Sequence, residues 1–450
     1  MASSLEIKNP GLSGLLAFGT GLLLLALSPV FRGGNRYVAL IGLEWLGLLM
    51  LWLLSLSWLI GGKSAVALRR SEWVLVLAPL WAALLFLTPV PGRLWAALPV
   101  HEIYLHASDL SWRPLSLTPD ATVASLLAGI PLVAAFMLAR TASDRQFALL
   151  PPALVLIALG QAVWGLLQAG PFKELYFGAE FAGGLIGGFG NANHFANFIA
   201  MTLPLAVFLL WQALPDHRGR RQRPQLAAVL WSLVLLVLVT AVLGSGSRTG
   251  MTTGLIVTLL TVLLLLRAVS ETSRRWYVLG AGVLLLLVLV IVGVNTLVTR
   301  FDTGGLSNDA SLRWLLIGNS WQAAQAFWPV GSGPGSYSAV YPLFQPPGLR
   351  GFAEHAHSDY VQLFMEFGAL FVLLAGLLTW LIVRQGMSLS RQVSKAGRDL
   401  GTAQLQLCCA LGLLAVLLHS WVDFNLRIPA NAMLSACLLG AFLRPCRSGS

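Results

Sequence analysis

The sequence predicts an all-α integral membrane protein with about 12 transmembrane helices and one large loop outside the cytoplasm. Its 450 residues are 57% hydrophobic and only 10% charged, whereas soluble domains usually carry about 25% charged residues. Apolar runs recur along the chain at about the 20-residue length that a spanning helix needs. The sequence shows no internal repeat of 20 to 50 residues. Residues 1–450 are therefore interpreted as a single polytopic membrane domain.

The predicted helices follow these apolar runs in order. The first run is preceded by a single basic residue, Lys8, and is not followed by a small-residue cleavage site, so we expect it to be retained as a helix. The runs lie near residues 11–31, 37–61, 73–90, 120–139, 149–169, 192–213, 225–243, 250–268, 276–298, 361–383, 401–422 and 428–443.

Basic residues are distributed unevenly between the links that join these helices. A net charge of +11 could indicate nucleic acid, but Lys and Arg that alternate between hydrophobic spans more often set topology. With the N-terminus inside, about two thirds of the 29 Lys and Arg residues fall in cytoplasmic segments. This bias predicts two cytoplasmic termini and no nucleic-acid partner.

Two outer segments, near 91–119 and 299–360, are too long to be simple turns. The second is treated as a periplasmic insertion between the predicted ninth and tenth helices. It contains a run with helical spacing that follows capping residues at 307–309, which predicts an amphipathic helix on the membrane surface. Its apolar positions are Leu312, Leu315, Leu316, Ala323 and Phe327.

Two predicted helix starts on the outer side carry residues suited to an anion. Arg248, in the link SGSRTG, lies where backbone N–H groups and the helix dipole already favour negative charge. Asn193 and His194 follow a glycine-rich loop whose amides could approach a phosphate. The alternatives are that Arg248 snorkels at a helix end and that the second segment only makes turns and caps.

The segment EHAHSDY places two histidines where the long loop enters the tenth predicted helix. A histidine of near-neutral pKa can take a proton from a sugar hydroxyl, which suits His357, with His355 in support. The spacing could instead chelate a metal, but no third strong ligand is near in sequence. A structural cap is a further alternative. Glu366 falls on another side of the helix and is interpreted as a packing residue.

His419 and Asp423 are four residues apart near the outer end of the eleventh predicted helix. They would share one helix face there and could pair with each other. We interpret them as supporting residues. Glu44, inside the second predicted helix, has no obvious partner in the sequence.

These residues together resemble the O-antigen ligase and polymerase superfamily over about residues 180–440. The motif that resembles the ligase signature consists of a His, then an Asn, Ser or Gln, then nine residues, and then Gly-x-x-Gly. Here His357 and Ser358 precede nine residues and Gly368, but Phe371 replaces the final glycine. The segments GSGPGSY and HSWVDFNLRIPANA also look like family segments.

The resemblance implies a GT-C-like helical fold and transfer of a glycan from an undecaprenyl-diphosphate carrier to lipid A-core. It implies His357 as the catalytic residue, with Arg248 and Arg313 as diphosphate ligands. The transfer would invert the anomeric carbon on the periplasmic face of the inner membrane. Guanidinium groups can stabilise a leaving diphosphate without a metal, so neither a metal nor a cofactor is expected.

Several alternatives remain open at this stage. A polymerase of the same superfamily would use another carrier-linked repeat unit as acceptor, and a protein glycan transferase would use a polypeptide hydroxyl. A small-anion transporter belongs to a different class, but such proteins usually hold ligands near mid-membrane between paired repeats. A non-catalytic scaffold for polysaccharide assembly is a further possibility.

Overall fold

A computed structural model describes residues 11–61, 68–104, 111–169, 184–214, 225–266, 306–347, 349, 351–395 and 401–445. The described chain is almost entirely helical. The helices are α1 (Leu12–Leu27), α2 (Tyr37–Gly61), α3 (Arg70–Leu87), α4 (Gly92–Ala96), α5 (Pro119–Thr141), α6 (Asp144–Ala169), α7 (Ala192–Ala213), α8 (Gln225–Gly244), α9 (Arg248–Leu266), α10 (Leu306–Ala326), α11 (Tyr337–Val340), α12 (Asp359–Phe367), α13 (Ala369–Lys395), α14 (Gly401–His419) and α15 (Pro429–Leu443). Strands β1 (Pro89–Val90) and β2 (Arg113–Pro114) form one antiparallel pair.

Nine of the described helices are long and apolar enough to cross a membrane: α2, α3, α5, α6, α7, α8, α9, α13 and α14. The shorter helices α1 and α15 are also apolar. The chain is therefore a multi-pass membrane protein. The predicted span near 276–298 lies outside the described residues, so the number of 12 stays a prediction.

Helix α7 lies at the centre of the bundle and packs against α6, α8, α9, α14 and α15. Small residues allow this close packing. Gly412 on α14 lies against the backbone of Met201 on α7, and Gly250 on α9 lies against Ala196, where an added Cβ would collide. Gly250 and Ala196 lie within the first five residues of α9 and α7, so this contact brings the starts of the two helices side by side.

The links between helices meet at one end of the bundle, which we call the site end and define by residues 28–36, 184–191, 245–247, 331–337 and 420–428. Backbone hydrogen bonds join them. Gly33 donates to Gly188 O at 3.1 Å, Leu185 donates to Gly244 O at 3.1 Å, and Asp359 donates to Ser420 O at 3.0 Å. The opposite end contains the fully buried ion pair between Arg140 and Glu72 at 2.7 Å.

Three predicted boundaries are wrong. The run 361–383 is two helices, α12 and α13, because Gly368 adopts a φ of +53° that interrupts the helix. The run 401–422 ends as a helix at His419, and residues 425–427 form a 3-10 turn. The third run is a helix over Arg70–Leu87, since the chain turns into β1 at Pro89.

The helix predicted within the long loop is α10. It begins at Leu306, just before the expected caps. Ala323 and Phe327 are buried in a small core with α11 and α12, whereas Leu312 and Leu315 are each 44% exposed. The apolar positions share one side of the helix, whose C-terminal part is packed on protein and whose N-terminal part is exposed.

Candidate active site

Asp359 fixes the loop that follows α14. Its buried Oδ2 accepts hydrogen bonds from Ser420 Oγ at 2.7 Å and from the Leu426 amide at 2.9 Å. Its own amide donates to Ser420 O and to Asp423 O. Burial raises the pKa of the Asp359 carboxyl to about 7, although both hydrogen bonds oppose the shift. The first residue of α12 thereby holds residues 420–428 beside the loop that carries His357.

His357, Asp423 and Arg313 meet at this position from three separate segments. His357 Nδ1 lies 3.7 Å from Asp423 Oδ1, and Arg313 Nη1 lies 3.8 Å from Asp423 Oδ2. Burial favours a higher pKa for the Asp423 carboxyl, but contact with His357 and the nearby charge of Arg313 outweigh it, so the pKa lies below its usual range. Asp423 is therefore an anion that can orient both neighbours.

His357 has a strained backbone, with a φ of +52° that non-glycine residues seldom adopt. Such outliers often occur at functional sites, where the surrounding structure enforces them. The next two residues enforce this one, because Ser358 is the N-cap of α12 and Asp359 is bound to the loop at 420–428. The side chain of His357 is 25% exposed, so it is reachable from outside.

Phe424 contacts three histidine rings. Its ring centroid lies 4.3 Å from that of His355, 4.7 Å from His194 and 5.1 Å from His357. Burial, followed by the positive charge of Arg427, lowers the pKa of His355 to about 3, so this ring is neutral at physiological pH. Phe424 positions the histidines, and His355 is suited to packing rather than to proton transfer.

Side-chain amides link His194 to the 3-10 turn at 425–427 and to the start of α15. His194 Nδ1 lies 3.1 Å from Asn425 Oδ1, and Asn431 Nδ2 donates to the same oxygen at 3.2 Å and to His194 O at 3.1 Å. Asn193 is half-buried, and its amide donates to Asn191 Oδ1, which caps α7. His194 therefore belongs to the packed layer behind His357, and Asn193 lies at its edge.

The nine-residue spacing between Ser358 and Gly368 corresponds to one short helix. Helix α12 has nine residues, begins after Ser358 and ends at Gly368. An added Cβ on Gly368 would collide with Pro329 O. Ser332 and Gly333 donate their amides to Met365 O and Glu366 O. The segment GSGPGSY therefore caps the carboxyl end of the helix whose amino end holds His357.

Glu366 and Arg427 form a second link between α12 and the loop at 420–428. Arg427 Nη2 donates to Glu366 Oε2 at 2.7 Å, and Gln362 Nε2 donates to Glu366 Oε1 at 3.1 Å. Glu366 is fully buried and Arg427 is largely buried. Glu366 thus pairs with Arg427, which agrees with its interpretation as a packing residue.

The predicted residues are brought together to different degrees. Arg313, His355, His357 and Asp423 converge, and His194 packs behind them. The shared helix face expected for His419 and Asp423 is wrong, because α14 ends at His419 and Asp423 lies in the turn beyond it, but the two side chains still interact electrostatically. Arg248 is the exposed first residue of α9, and Gly250, two residues later, packs against Ala196 near the start of α7.

Sequence reasoning overlooked three residues at this site. Asp359, Phe424 and Asn425 hold the loop and the histidines, but we did not select them as candidates. The feature of the sequence that could have identified them is their position next to selected residues. Asp359 is two residues from His357, and the dipeptide at 424–425 directly follows Asp423.

The helical bundle and this polar centre define a multi-pass membrane protein with a histidine, a carboxylate and an arginine gathered at one end. Residues 233–381 match the family model described as O-antigen ligase. The match contains Arg248, Arg313 and His357, and it confirms the resemblance to the O-antigen ligase and polymerase superfamily, whose members are glycosyltransferase-like enzymes. A search of curated proteins finds no match.

Proposed function

We propose that this protein is an O-antigen ligase that transfers a glycan from an undecaprenyl-diphosphate carrier to lipid A-core. The observation that carries the proposal is the convergence of His357, Asp423 and Arg313 beside a segment that matches the ligase family. A base, an orienting carboxylate and a cation are the groups that glycan transfer from a diphosphate requires. The active site faces the periplasm, and both termini lie in the cytoplasm of a bacterial inner membrane.

In the proposed reaction, a hydroxyl oxygen of the acceptor sugar attacks the anomeric carbon of the donor. The bond from that carbon to the diphosphate oxygen breaks, and the carrier diphosphate leaves with the bonding electrons. His357 takes the hydroxyl proton, because contact of Nδ1 with Asp423 leaves Nε2 to act as base. Attack from the side opposite the leaving group inverts the anomeric carbon.

Two arginines are suited to the developing charge on the diphosphate. Arg313 lies 3.8 Å from Asp423, and its side chain is 38% exposed, so its guanidinium remains accessible to an anion from outside. Arg248 begins α9, where the helix dipole favours an anion. Guanidinium groups bind phosphate through paired N–H donors, so no divalent metal is required, and activity should survive EDTA.

The test is complementation of a host that lacks its own ligase. Polymer restored on lipid A-core would support the proposal, whereas longer carrier-linked polymer without transfer to core would identify a polymerase. Purified protein with both substrates then tests the residues. Arg248→Lys should reduce the rate despite its retained charge, because an ammonium cannot reproduce the guanidinium fork. Loss of activity on chelation, restored by magnesium or manganese, would contradict the metal-free mechanism.

A further inference from the structure

Three aromatic rings form a stack at the surface of α10. Phe364 of α12 lies 5.4 Å from Trp321 and 5.3 Å from Trp328, with interplanar angles of 23° and 17°. Trp321 lies on α10, and Trp328, seven residues later, lies in the turn just beyond the helix end at Ala326. The ring of Phe364 is therefore stacked between the two tryptophan rings. The stack shows that one ring fits between two tryptophans at this end of α10.

The preceding two turns, from Trp314 to Trp321, lie wholly within α10, where seven residues span about 10.5 Å and return to nearly the same face. Trp314 precedes Trp321 by the same seven residues and is 64% exposed, and Trp321 is 45% exposed. Gly318 lies between them, four residues after Trp314 and three before Trp321. It has no side chain, and an added Cβ would meet nothing within 4 Å. The helix therefore presents an open slot with an aromatic residue at each end.

The slot adjoins the candidate active site. Trp314 directly follows Arg313, whose guanidinium contacts Asp423 at 3.8 Å. A group bound in the slot would thus begin within one helical turn of the residue that we assign to the diphosphate. Isolated exposed tryptophans commonly face the membrane interface, but that role requires neither the two-turn spacing of Trp314 and Trp321 nor the bare position at Gly318.

We propose that the slot formed by Trp314, Gly318 and Trp321 binds one pyranose ring of the glycan substrate. This inference rests on the proposed function. One face of a pyranose presents C–H groups, which pack favourably on the negative face of an aromatic ring. The ring could come from the carrier-linked glycan or from the core acceptor, since both have this chemistry. Binding there would hold the sugar chain beside Arg313 during transfer.

Filling the slot provides the sharpest test. Gly318→Leu blocks the space between the tryptophans, whereas Gly376→Leu makes the same substitution at an open position on α13 and is the matched control. Both changes should favour their helices. With full-length protein in detergent, Gly318→Leu should raise the KM for one of the two substrates about tenfold, which is about 1.4 kcal/mol. Varying donor and acceptor separately identifies which one supplies the ring, and kcat should change little.

Trp314→Leu and Trp314→Phe separate sugar binding from membrane contact. Leucine keeps an apolar membrane contact but removes the aromatic face, so it should raise the same KM, while phenylalanine should largely preserve it. Unchanged KM values for both substrates in Gly318→Leu and Trp314→Leu, at matched thermal stability, would overturn the inference. A defect in Trp314→Ala that leucine repairs would assign the residue to the membrane interface and also overturn it.

A binding measurement keeps this inference distinct from the proposed function. Saturation-transfer NMR uses two soluble probes: core oligosaccharide released from lipid A, and repeat-unit oligosaccharide released from its carrier. Signal from either probe that is lost in Gly318→Leu and kept in Gly376→Leu supports the slot even if no transfer occurs. Transfer with normal KM values in every variant would contradict sugar binding in the slot and leave the ligase proposal intact. No signal from either probe, with no transfer, overturns both.

Discussion

His357 and Asp423 lie 3.7 Å apart, between Nδ1 and Oδ1, although 66 positions separate them in the chain. The carboxylate is almost completely buried and the imidazole is 25% exposed. A buried anion behind a reachable histidine favours one ring orientation and stabilises the imidazolium that forms when the ring accepts a proton. This is the arrangement expected of an oriented general base.

Asp423→Asn should therefore slow transfer without disrupting the fold. The amide has nearly the same size and keeps an oxygen that can accept from the Phe424 amide, as Asp423 Oδ1 does at 2.9 Å. It lacks the charge that supports the imidazolium, and we expect a loss of about 10²-fold in kcat, within the usual contribution of a general base. Initial rates and melting temperatures of the purified variant provide the check. A variant with the native rate would exclude Asp423 from the mechanism.

Gly368→Ala should destabilise the protein. Gly368 has a φ of +53°, and an added Cβ would collide with Pro329 O, so both backbone conformation and space oppose a side chain. We expect a loss of about 1–3 kcal/mol. Gly376→Ala is the matched control, because Gly376 lies within α13 and its added Cβ meets nothing within 4 Å. Equal melting temperatures for the two variants would contradict this account of the break.

Asp359 should make stability depend on pH. Its pKa is about 7 in the folded protein and 3.8 when unperturbed. Between these values the folded chain holds a proton on Asp359 that the unfolded chain releases, so the stability contributed by this group is full below its unperturbed pKa and is lost as pH rises through about 7. Asp359→Asn, which retains an acceptor oxygen, should reduce the difference in melting temperature between pH 5.5 and 8 by a few degrees.

The control for this titration is Asp120→Asn, since Asp120 is exposed at the start of α5. Its pH dependence should match that of the native protein. If Asp359→Asn also retains the native pH dependence, another group is responsible, and the buried carboxyl is not the one that titrates between pH 5.5 and 8.

The helices were largely predictable from the sequence, whereas the site was predictable only in part. Apolar runs located α2, α5, α7, α8 and α9 because a membrane selects for length and composition. The break at Gly368 was missed, since one glycine in an apolar run does not reveal its φ. Contact between Arg313 and Asp423 depends on packing between segments distant in sequence, which no local pattern encodes.

The long loop should lie outside the cytoplasm. Glu354→Cys, at an exposed position before His355, should react with an impermeant maleimide in intact spheroplasts. Arg391→Cys, exposed near the end of α13, should react only in inside-out vesicles. Cys408, Cys409 and Cys437 are buried and should not react. The fourth native cysteine is removed by Cys446→Ser, so that labelling reports only the introduced cysteine. The reverse labelling pattern would show that the loop lies in the cytoplasm and would contradict a periplasmic active site.

His357→Ala should nearly abolish transfer, while His355→Ala should have a milder effect. His357 contacts Asp423 and is partly exposed, so its loss removes the base and should cost about 10²- to 10⁴-fold in rate. His355 is stacked on Phe424 at 4.3 Å, and burial followed by the charge of Arg427 lowers its pKa to about 3, so it is already neutral at the pH of the reaction. Its loss should affect packing more than chemistry.

The two histidines are best compared through rate and stability together. His355→Phe keeps an aromatic ring against Phe424 and should recover much of the activity and melting temperature lost in His355→Ala, because stacking does not require a ring nitrogen. His357→Phe should remain inactive while folding normally, since a ring without nitrogen cannot accept a proton. Near-native turnover in His357→Ala with no activity in His355→Phe would indicate that His355 is the base and that His357 is not. Near-native turnover in both would remove histidine from the mechanism.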